Sequence, residues 1–96
     1  MARLDANHKA VGEYLVKHGM SFLSLAAVGR GCGDALVGYQ GINVLIEIKD
    51  GAKSASRRAL TPLEEDFRLK WRGQYAVVNS PAEALAAVYE LAKERA

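Results

Sequence analysis

The segment from Ile42 to Lys49 restricts the fold more than any other part of the chain, because its side chains alternate in character. Four β-branched residues hold every second position: Ile42, Val44, Ile46 and Ile48. Alternate side chains of a strand lie on the same face of a sheet, so this pattern predicts a strand with one apolar face packed on helices. Glu47 and Lys49 both belong to the opposite face, and their charged groups should therefore point the same way.

The other elements are predicted from helix caps, glycine turns and apolar periodicity. Asp5 caps a first helix that continues to about Lys17, and strands are expected over 21–28, 35–39 and 74–79, with glycine-rich turns at 29–33 and near 41. Thr61-Pro62-Leu63-Glu64 and Ser80-Pro81-Ala82-Glu83 each combine a capping residue, a proline and an acid, which predicts helices from there to about 72 and 92. The small, polar residues 50–59 predict a mobile loop.

The predicted order is α-β-β-β-α-β-α, an α/β fold with one mixed β-sheet flanked by helices. A chain of 96 residues has the size of a single domain, here 1–96. No apolar run approaches the roughly 20 residues that cross a bilayer, so no membrane association is expected. The single Cys32 cannot form an internal disulfide, which favours a reducing, cytoplasmic compartment.

A pair of acids suggests a metal site at one end of this sheet. Asp34 begins one strand of the predicted hairpin and Glu47 ends the neighbouring strand, so the two carboxylates can lie across from each other. Magnesium prefers oxygen ligands and keeps several waters, and both carboxylates with the main-chain carbonyl of Ile48 could hold it. The amine of Lys49 would reach the same space and could orient a water or stabilise negative phosphate oxygens. Glu and Lys two apart are also common on exposed strands, so this motif alone has little specificity.

The combination of motifs resembles a known family. Gly33-Asp34, Glu47-Ile48-Lys49, Leu60-Thr61-Pro62 and Asn79-Ser80-Pro81-Ala82-Glu83-Ala84 together look like the virus-type replication-repair nuclease (VRR-NUC) group of the PD-(D/E)xK superfamily. Small stand-alone members are typical of phages and prophages and resemble Holliday-junction resolvases in fold. The resemblance implies a restriction-endonuclease-like core, metal-holding acids at Asp34 and Glu47, and a catalytic lysine at Lys49. It also implies a requirement for Mg²⁺, with Mn²⁺ as a substitute.

Three positions depart from the pattern of that family. Gly33 replaces the usual proline before the aspartate, and Glu64 stands where a glutamine is frequent. Glu64 also occupies the capping-box position, so helix initiation is sufficient to explain it. The first helix has no glutamate at the matching turn, which leaves Asn7 and His8 as accessory candidates for contacting metal, water or DNA. A single histidine on a helix is more often a surface or hydrogen-bonded residue than a ligand.

Two further groups of side chains could contact nucleic acid. Lys53, Arg57 and Arg58 lie in the polar segment beside the site and could bind phosphates, although a solvated surface is an equally good interpretation. Phe67 and Trp71 are four residues apart on one helix face, and that spacing favours packing in the core over stacking on bases.

The sequence favours a metal-dependent endonuclease that hydrolyses DNA phosphodiester bonds, with branched, Holliday-junction-like or nicked DNA as candidate substrates. A homodimer is expected because closed two-fold pairs are the commonest oligomers, and a phage or prophage origin would place the protein in the cytoplasm of a bacterial host. Two alternatives stay open: a catalytically inactive nucleic-acid-binding module, and an interaction subunit of a phage replication complex. The residues do not distinguish DNA from RNA.

Overall fold

The computed structural model describes residues 6–95, without the side chains of Ala6 and Arg57. The helices are α1 (Ala6–Lys17), α2 (Ala55–Arg58), α3 (Pro62–Lys70) and α4 (Pro81–Arg95), and the strands are β1 (Ser21–Ser24), β2 (Ala35–Tyr39), β3 (Ile42–Ile48) and β4 (Gln74–Val78). The predicted α/β fold and element order are confirmed, with α2 as a one-turn addition. The predicted cap at Asp5 lies outside the described residues. Between residues 6 and 95, no helix is long and apolar enough to cross a bilayer.

The four strands form one mixed sheet in the order β1-β2-β3-β4. The first two pairings are antiparallel, and β4 pairs with β3 in parallel after a crossover that contains α2 and α3. Gln40 and Gly41 join β2 to β3 with positive φ angles of 48° and 83°. Two consecutive positive φ angles are typical of the tight turn that matches the twist of a hairpin, and this turn fixes the β2–β3 register.

The apolar face of β3 is the centre of the hydrophobic core, as its alternation predicts. Val44 and Ile46 are fully buried on this face, and α1 and α4 pack against it with Val11, Leu15 and Val88. Burial of such side chains is worth about 1.5–3 kcal/mol each, so this face holds the helices on the sheet. The opposite face of β3 is therefore left to carry Glu47 and Lys49.

Helix α3 differs from the expectation for its aromatic residues. None of its residues is buried, and Trp71, at its C-cap, is 46% exposed with its ring stacked on that of Phe67. The prediction that both rings pack in the core is wrong for Trp71. Helical spacing shows which side chains share a face but not whether another element covers that face, and here α1 and α4 already fill the core.

Two segments differ from their predicted secondary structure. Strand β1 ends at Ser24 rather than near residue 28, because Leu25 donates a main-chain hydrogen bond to Asp34 and its own carbonyl then accepts from Val28 in a turn. An apolar run alone cannot distinguish a strand from such a turn. Within the segment 50–59, which is predicted to be a loop, residues 55–58 form α2.

Candidate active site

Asp34 is attached to the end of β3 by two hydrogen bonds. The hairpin register places Ala35 opposite Ile46, and the main-chain N–H of Asp34 donates to the carbonyl of Ile46 at 2.7 Å. Its carboxylate oxygen Oδ2 accepts from the main-chain N–H of Ile48 at 2.6 Å. The carboxylate is therefore held beside the segment that contains Glu47, as the sequence predicts.

Glu47 is a buried acid next to another acid. Only 4% of the residue is exposed, and its side chain is hydrogen-bonded to that of Asp34. Burial, the hydrogen bond and negative charge of Asp34, and the charge of Glu64 together raise the pKa of Glu47 to about 9, and Lys49 offsets them only in part. Without a cation, Glu47 therefore keeps its proton at neutral pH.

Lys49 supplies a positive charge to these acids. Its Nζ lies 2.8 Å from Oε1 of Glu64 and 3.6 Å from Oε2 of Glu47. Burial alone would lower the pKa of Lys49, but the hydrogen bond to Glu64 and the neighbouring acidic groups raise it. The ammonium is therefore charged at neutral pH.

Glu64 has two functions at the N-terminus of α3. Thr61 Oγ1 accepts from the main-chain N–H of Glu64 at 3.2 Å, and Oε1 of Glu64 accepts from the main-chain N–H of Thr61 at 2.9 Å. This reciprocal pair is the predicted capping box. The same Oε1 binds Lys49, so initiation of the helix and contact with the candidate site involve one carboxylate.

Asp34, Glu47 and Glu64 border a small pocket of about 130 Å³. It is lined by Leu25, Ala26, Gly29, Gly31, Cys32, Gly33, Asp34, Glu47 and Glu64. Gly33 has a φ of 103°, which a proline cannot adopt, so a proline before Asp34 would not fit this turn. Gly31 lies against α3, where an added Cβ would be 2.9 Å from the carbonyl oxygen of Leu63.

The donor set fits a magnesium ion that is held mainly by two carboxylates. In the part of the chain that the structure describes, no group of three or more His, Cys, Asp or Glu side chains is arranged to hold a metal ion. Magnesium commonly binds through one or two carboxylates and completes its coordination with water and substrate phosphate. Asp34 and Glu47, in contact with each other, provide such a pair next to the main chain of Ile48.

The two accessory candidates of α1 have different positions. Asn7 donates from Nδ2 to the main-chain carbonyls of Lys49 at 2.6 Å and Asn79 at 3.4 Å, so it holds the chain just beyond β3. His8 is buried on the helix side of the sheet, with its ring edge-on to Phe22 at 5.7 Å. Asn7 is therefore connected to the site through the main chain, whereas the described contact of His8 is with the ring of Phe22.

Lys53 and Arg58 have no described contact with the acidic cluster. Lys53 is exposed in the turn that follows Asp50, and Arg58 is half-buried at the end of α2. The side chain of Arg57 lies outside the described residues. Among residues with described side chains, no hydrogen bond or ion pair links Lys53 or Arg58 to the acids.

Tyr75 is a neighbour of the site that the sequence interpretation missed. It lies opposite Leu45 in the β3–β4 register, on the face that carries Glu47. Burial and the charges of Glu47, Glu64 and Asp34 raise its pKa to about 12, and its buried hydroxyl has no hydrogen-bond partner among the described residues. Aligning the alternation of β4 with that of β3 as parallel neighbours would have found it.

The chain has no significant match among protein-family models, curated proteins or solved structures. The resemblance to VRR-NUC nucleases therefore stays a prediction from the motifs.

Proposed function

We propose that this protein is a metal-dependent endonuclease that hydrolyses phosphodiester bonds. The observation that supports it is the convergence of Asp34, Glu47 and Lys49 at one end of the β2–β3 hairpin, beside a small pocket. Two acids and an amine in this arrangement suit the binding of a divalent cation and a phosphate together.

The energetics of the acid pair support a function in binding rather than in stability. Two carboxylates in contact repel each other when both are ionised, and burial of Glu47 adds a desolvation penalty. A neutral side chain of similar shape in place of Glu47 would stabilise the metal-free fold more. Acids with strongly shifted pKa values at the edge of a pocket are common in functional sites. A bound cation would relieve the repulsion between them.

Each group has a defined role in the proposed reaction. Asp34, Glu47 and the carbonyl of Ile48 would hold Mg²⁺ or Mn²⁺, which when bound supplies a water of lowered pKa and a positive charge beside the phosphate. Lys49 keeps its proton and donates hydrogen bonds to the attacking water or to the phosphate oxygens that gain charge. Glu64 fixes the direction of the Lys49 ammonium through their 2.8 Å contact.

The proposed substrate is DNA, at branched, Holliday-junction-like or nicked structures, and the proposed active form is a homodimer. The substrate and the bacterial cytoplasm as the place of action follow from the resemblance to phage-type VRR-NUC nucleases, and the dimer follows from the prevalence of closed two-fold pairs. Lys53, Arg57 and Arg58 follow the candidate site in the chain and would bind backbone phosphates of the substrate.

Cleavage of end-labelled DNA tests the proposal. The substrates are a linear duplex, a nicked duplex, a four-way junction and a single strand, each with Mg²⁺, with Mn²⁺ and with EDTA. We expect cleavage only with metal, and a loss of at least about 100-fold in Asp34→Asn, Glu47→Gln and Lys49→Gln. Glu94→Gln, which changes an exposed acid near the end of α4, is the matched control and should cleave normally.

Two outcomes would contradict the proposal. Cleavage that persists in the three site variants would show a contaminating nuclease or a different site. Binding of DNA without cleavage in either metal would instead support the nucleic-acid-binding module that the sequence left open.

A further inference from the structure

Three aromatic side chains form a row from the solvent to the acidic cluster. The rings of Trp71 and Phe67 are stacked with centroids 5.3 Å apart and planes at 16°, and the ring of Phe67 lies 6.2 Å from that of Tyr75. We call Trp71, Phe67 and Tyr75 the aromatic row. Its inner end, Tyr75, lies on the sheet face that carries Glu47, and its outer end, Trp71, is 46% exposed.

The outer ring is held in place although it is exposed. One neighbour is Phe67, and another is the main chain at Gly73, where an added Cβ would lie 2.8 Å from Nε1 of the indole. A ring that is already fixed loses little conformational freedom on binding a flat ligand. Helix α3 has no buried residue, so Trp71 ends a helix that lies outside the buried core.

The charges around the outer ring favour an anionic ligand. Lys70 is paired with Asp66, and Arg68 is paired with Glu65, on the preceding turns of α3. Arg72 follows Trp71 directly and is exposed, and among the described residues it has no ion pair. A flat apolar ring beside an available guanidinium matches a nucleotide, which combines a flat base with a phosphate.

We propose that Trp71 is a stacking platform for an unpaired base of a nucleic acid whose backbone enters the candidate site, with Arg72 contacting the adjacent phosphate. The proposal takes nucleic acid as ligand from the proposed function and adds the class of substrate. Bases inside a duplex already stack on each other, whereas a single strand or the open arm of a branch exposes a base face. The substrate therefore contains unpaired nucleotides next to the cleaved bond.

Intrinsic fluorescence offers a direct test, because Trp71 is the only tryptophan in the chain. The full chain is titrated at low salt and in EDTA, which prevents cleavage, with a single-stranded DNA oligonucleotide and with a blunt duplex of the same sequence. Stacking of a base on the indole should quench the emission with the single strand and leave it nearly unchanged with the duplex. Binding is measured in parallel by the anisotropy of a dye on the oligonucleotide.

Three variants separate stacking from the structural role of the ring. Trp71→Leu keeps an apolar side chain on Phe67 and should weaken single-strand binding about tenfold, since stacking on an aromatic ring contributes about 1–3 kcal/mol per base. Trp71→Tyr should restore most of the affinity. Leu69→Ala, at a 69% exposed position of the same helix, should bind normally. Circular dichroism and thermal melting confirm that each variant is folded.

The inference is overturned if the single strand binds without quenching, if folded Trp71→Leu binds it as tightly as the wild type, or if no oligonucleotide binds. Quenched binding without metal-dependent cleavage would support the platform and contradict the nuclease. Cleavage that depends on Asp34 without quenching would support the nuclease and contradict the platform. The two proposals therefore fail independently.

Discussion

The carboxylate of Asp34 accepts a 2.6 Å hydrogen bond from the main-chain N–H of Ile48. One acid of the candidate site is therefore part of the hydrogen bonding that joins β2 to the end of β3. Its charge and its structural role are distinct, and substitutions can separate them.

Asp34→Asn should abolish cleavage and leave the fold nearly unchanged. The amide oxygen can still accept from Ile48, but the negative charge that would hold a cation is gone. Asp34→Ala should lower the free energy of unfolding by about 1–3 kcal/mol as well, because the N–H of Ile48 then has no partner. Urea unfolding in EDTA measures the difference. Equal stability of the two variants would contradict a structural role of the carboxylate.

Glu47 should make the metal-free protein less stable as pH rises. Its pKa is raised from 4.5 to about 9, so the folded state holds its proton more tightly than the unfolded chain. Its contribution is fully present below about pH 4.5 and is lost as pH rises through about 9, with a slope that cannot exceed about 1.4 kcal/mol per pH unit.

Glu47→Gln should remove this dependence and should be more stable than the wild type by about 1–3 kcal/mol near pH 8 in EDTA. Thermal melting at a series of pH values measures both effects. Saturating Mg²⁺ should raise the melting temperature of the wild type but not that of the variant. A wild-type melting temperature that is constant from about pH 5 to 8 in EDTA would contradict the raised pKa.

Glu64→Gln should keep α3 and weaken its contact with Lys49. Glutamine can replace glutamate in a capping box, but the ion pair with Lys49 is lost. Burial alone would raise the pKa of Glu64, yet hydrogen bonds from Lys49, Thr61 and Glu47 lower it. Its stabilising effect is therefore present above pH 4.5 and lost as pH falls below that value.

We expect Glu64→Gln to reduce the stability by about 1 kcal/mol near pH 7, after allowing for partial exposure of the pair. Glu65→Gln is the matched control, since its partner Arg68 is 43% exposed and such pairs contribute less than about 1 kcal/mol. Chemical denaturation at neutral and acidic pH compares the stabilities of the two variants. A larger loss for Glu65→Gln than for Glu64→Gln would contradict the assignment.

Gly31→Ala should disturb the contact between the glycine-rich turn and α3. Gly31 and Gly29 have similar positive φ angles of 70° and 73°, so alanine has the same backbone strain at both. Only at Gly31 would the new Cβ meet the carbonyl oxygen of Leu63, at 2.9 Å. Gly29→Ala should lower the free energy of unfolding by about 1 kcal/mol, and Gly31→Ala should lower it by about 1–3 kcal/mol more. Denaturation midpoints measure the stability of both variants. Equal losses of stability would show that α3 can move away from the new Cβ at position 31.

The sequence predicts the parts of this structure that depend on local patterns. The alternation of β3 predicts which face holds Glu47 and Lys49, and the capping box predicts the start of α3 at Pro62. Proximity of Asp34 to Glu47 follows from the hairpin, because a short turn fixes the register of two strands.

Features that depend on distant contacts could not be predicted in this way. Asn7 reaches Lys49 from the first helix, and nothing in the local sequence around Asn7 indicates that bond. The position of Tyr75 depends on the parallel pairing of β4 with β3, and the exposure of Trp71 depends on which helices fill the core. Local sequence determines the direction of a side chain within its element, whereas tertiary packing determines what lies opposite it.

The tight turn at Gln40 and Gly41 also bears on the order in which the contacts of the site form during folding. Closure of the β2–β3 hairpin alone brings Asp34 to Glu47, whereas Glu64 reaches them only after the longer crossover has folded. Contacts between residues close in sequence tend to form first, because they require less loop-closure entropy. We therefore expect repulsion between the two ionised acids to oppose closure of the nascent hairpin, and a proton or cation between them to speed it.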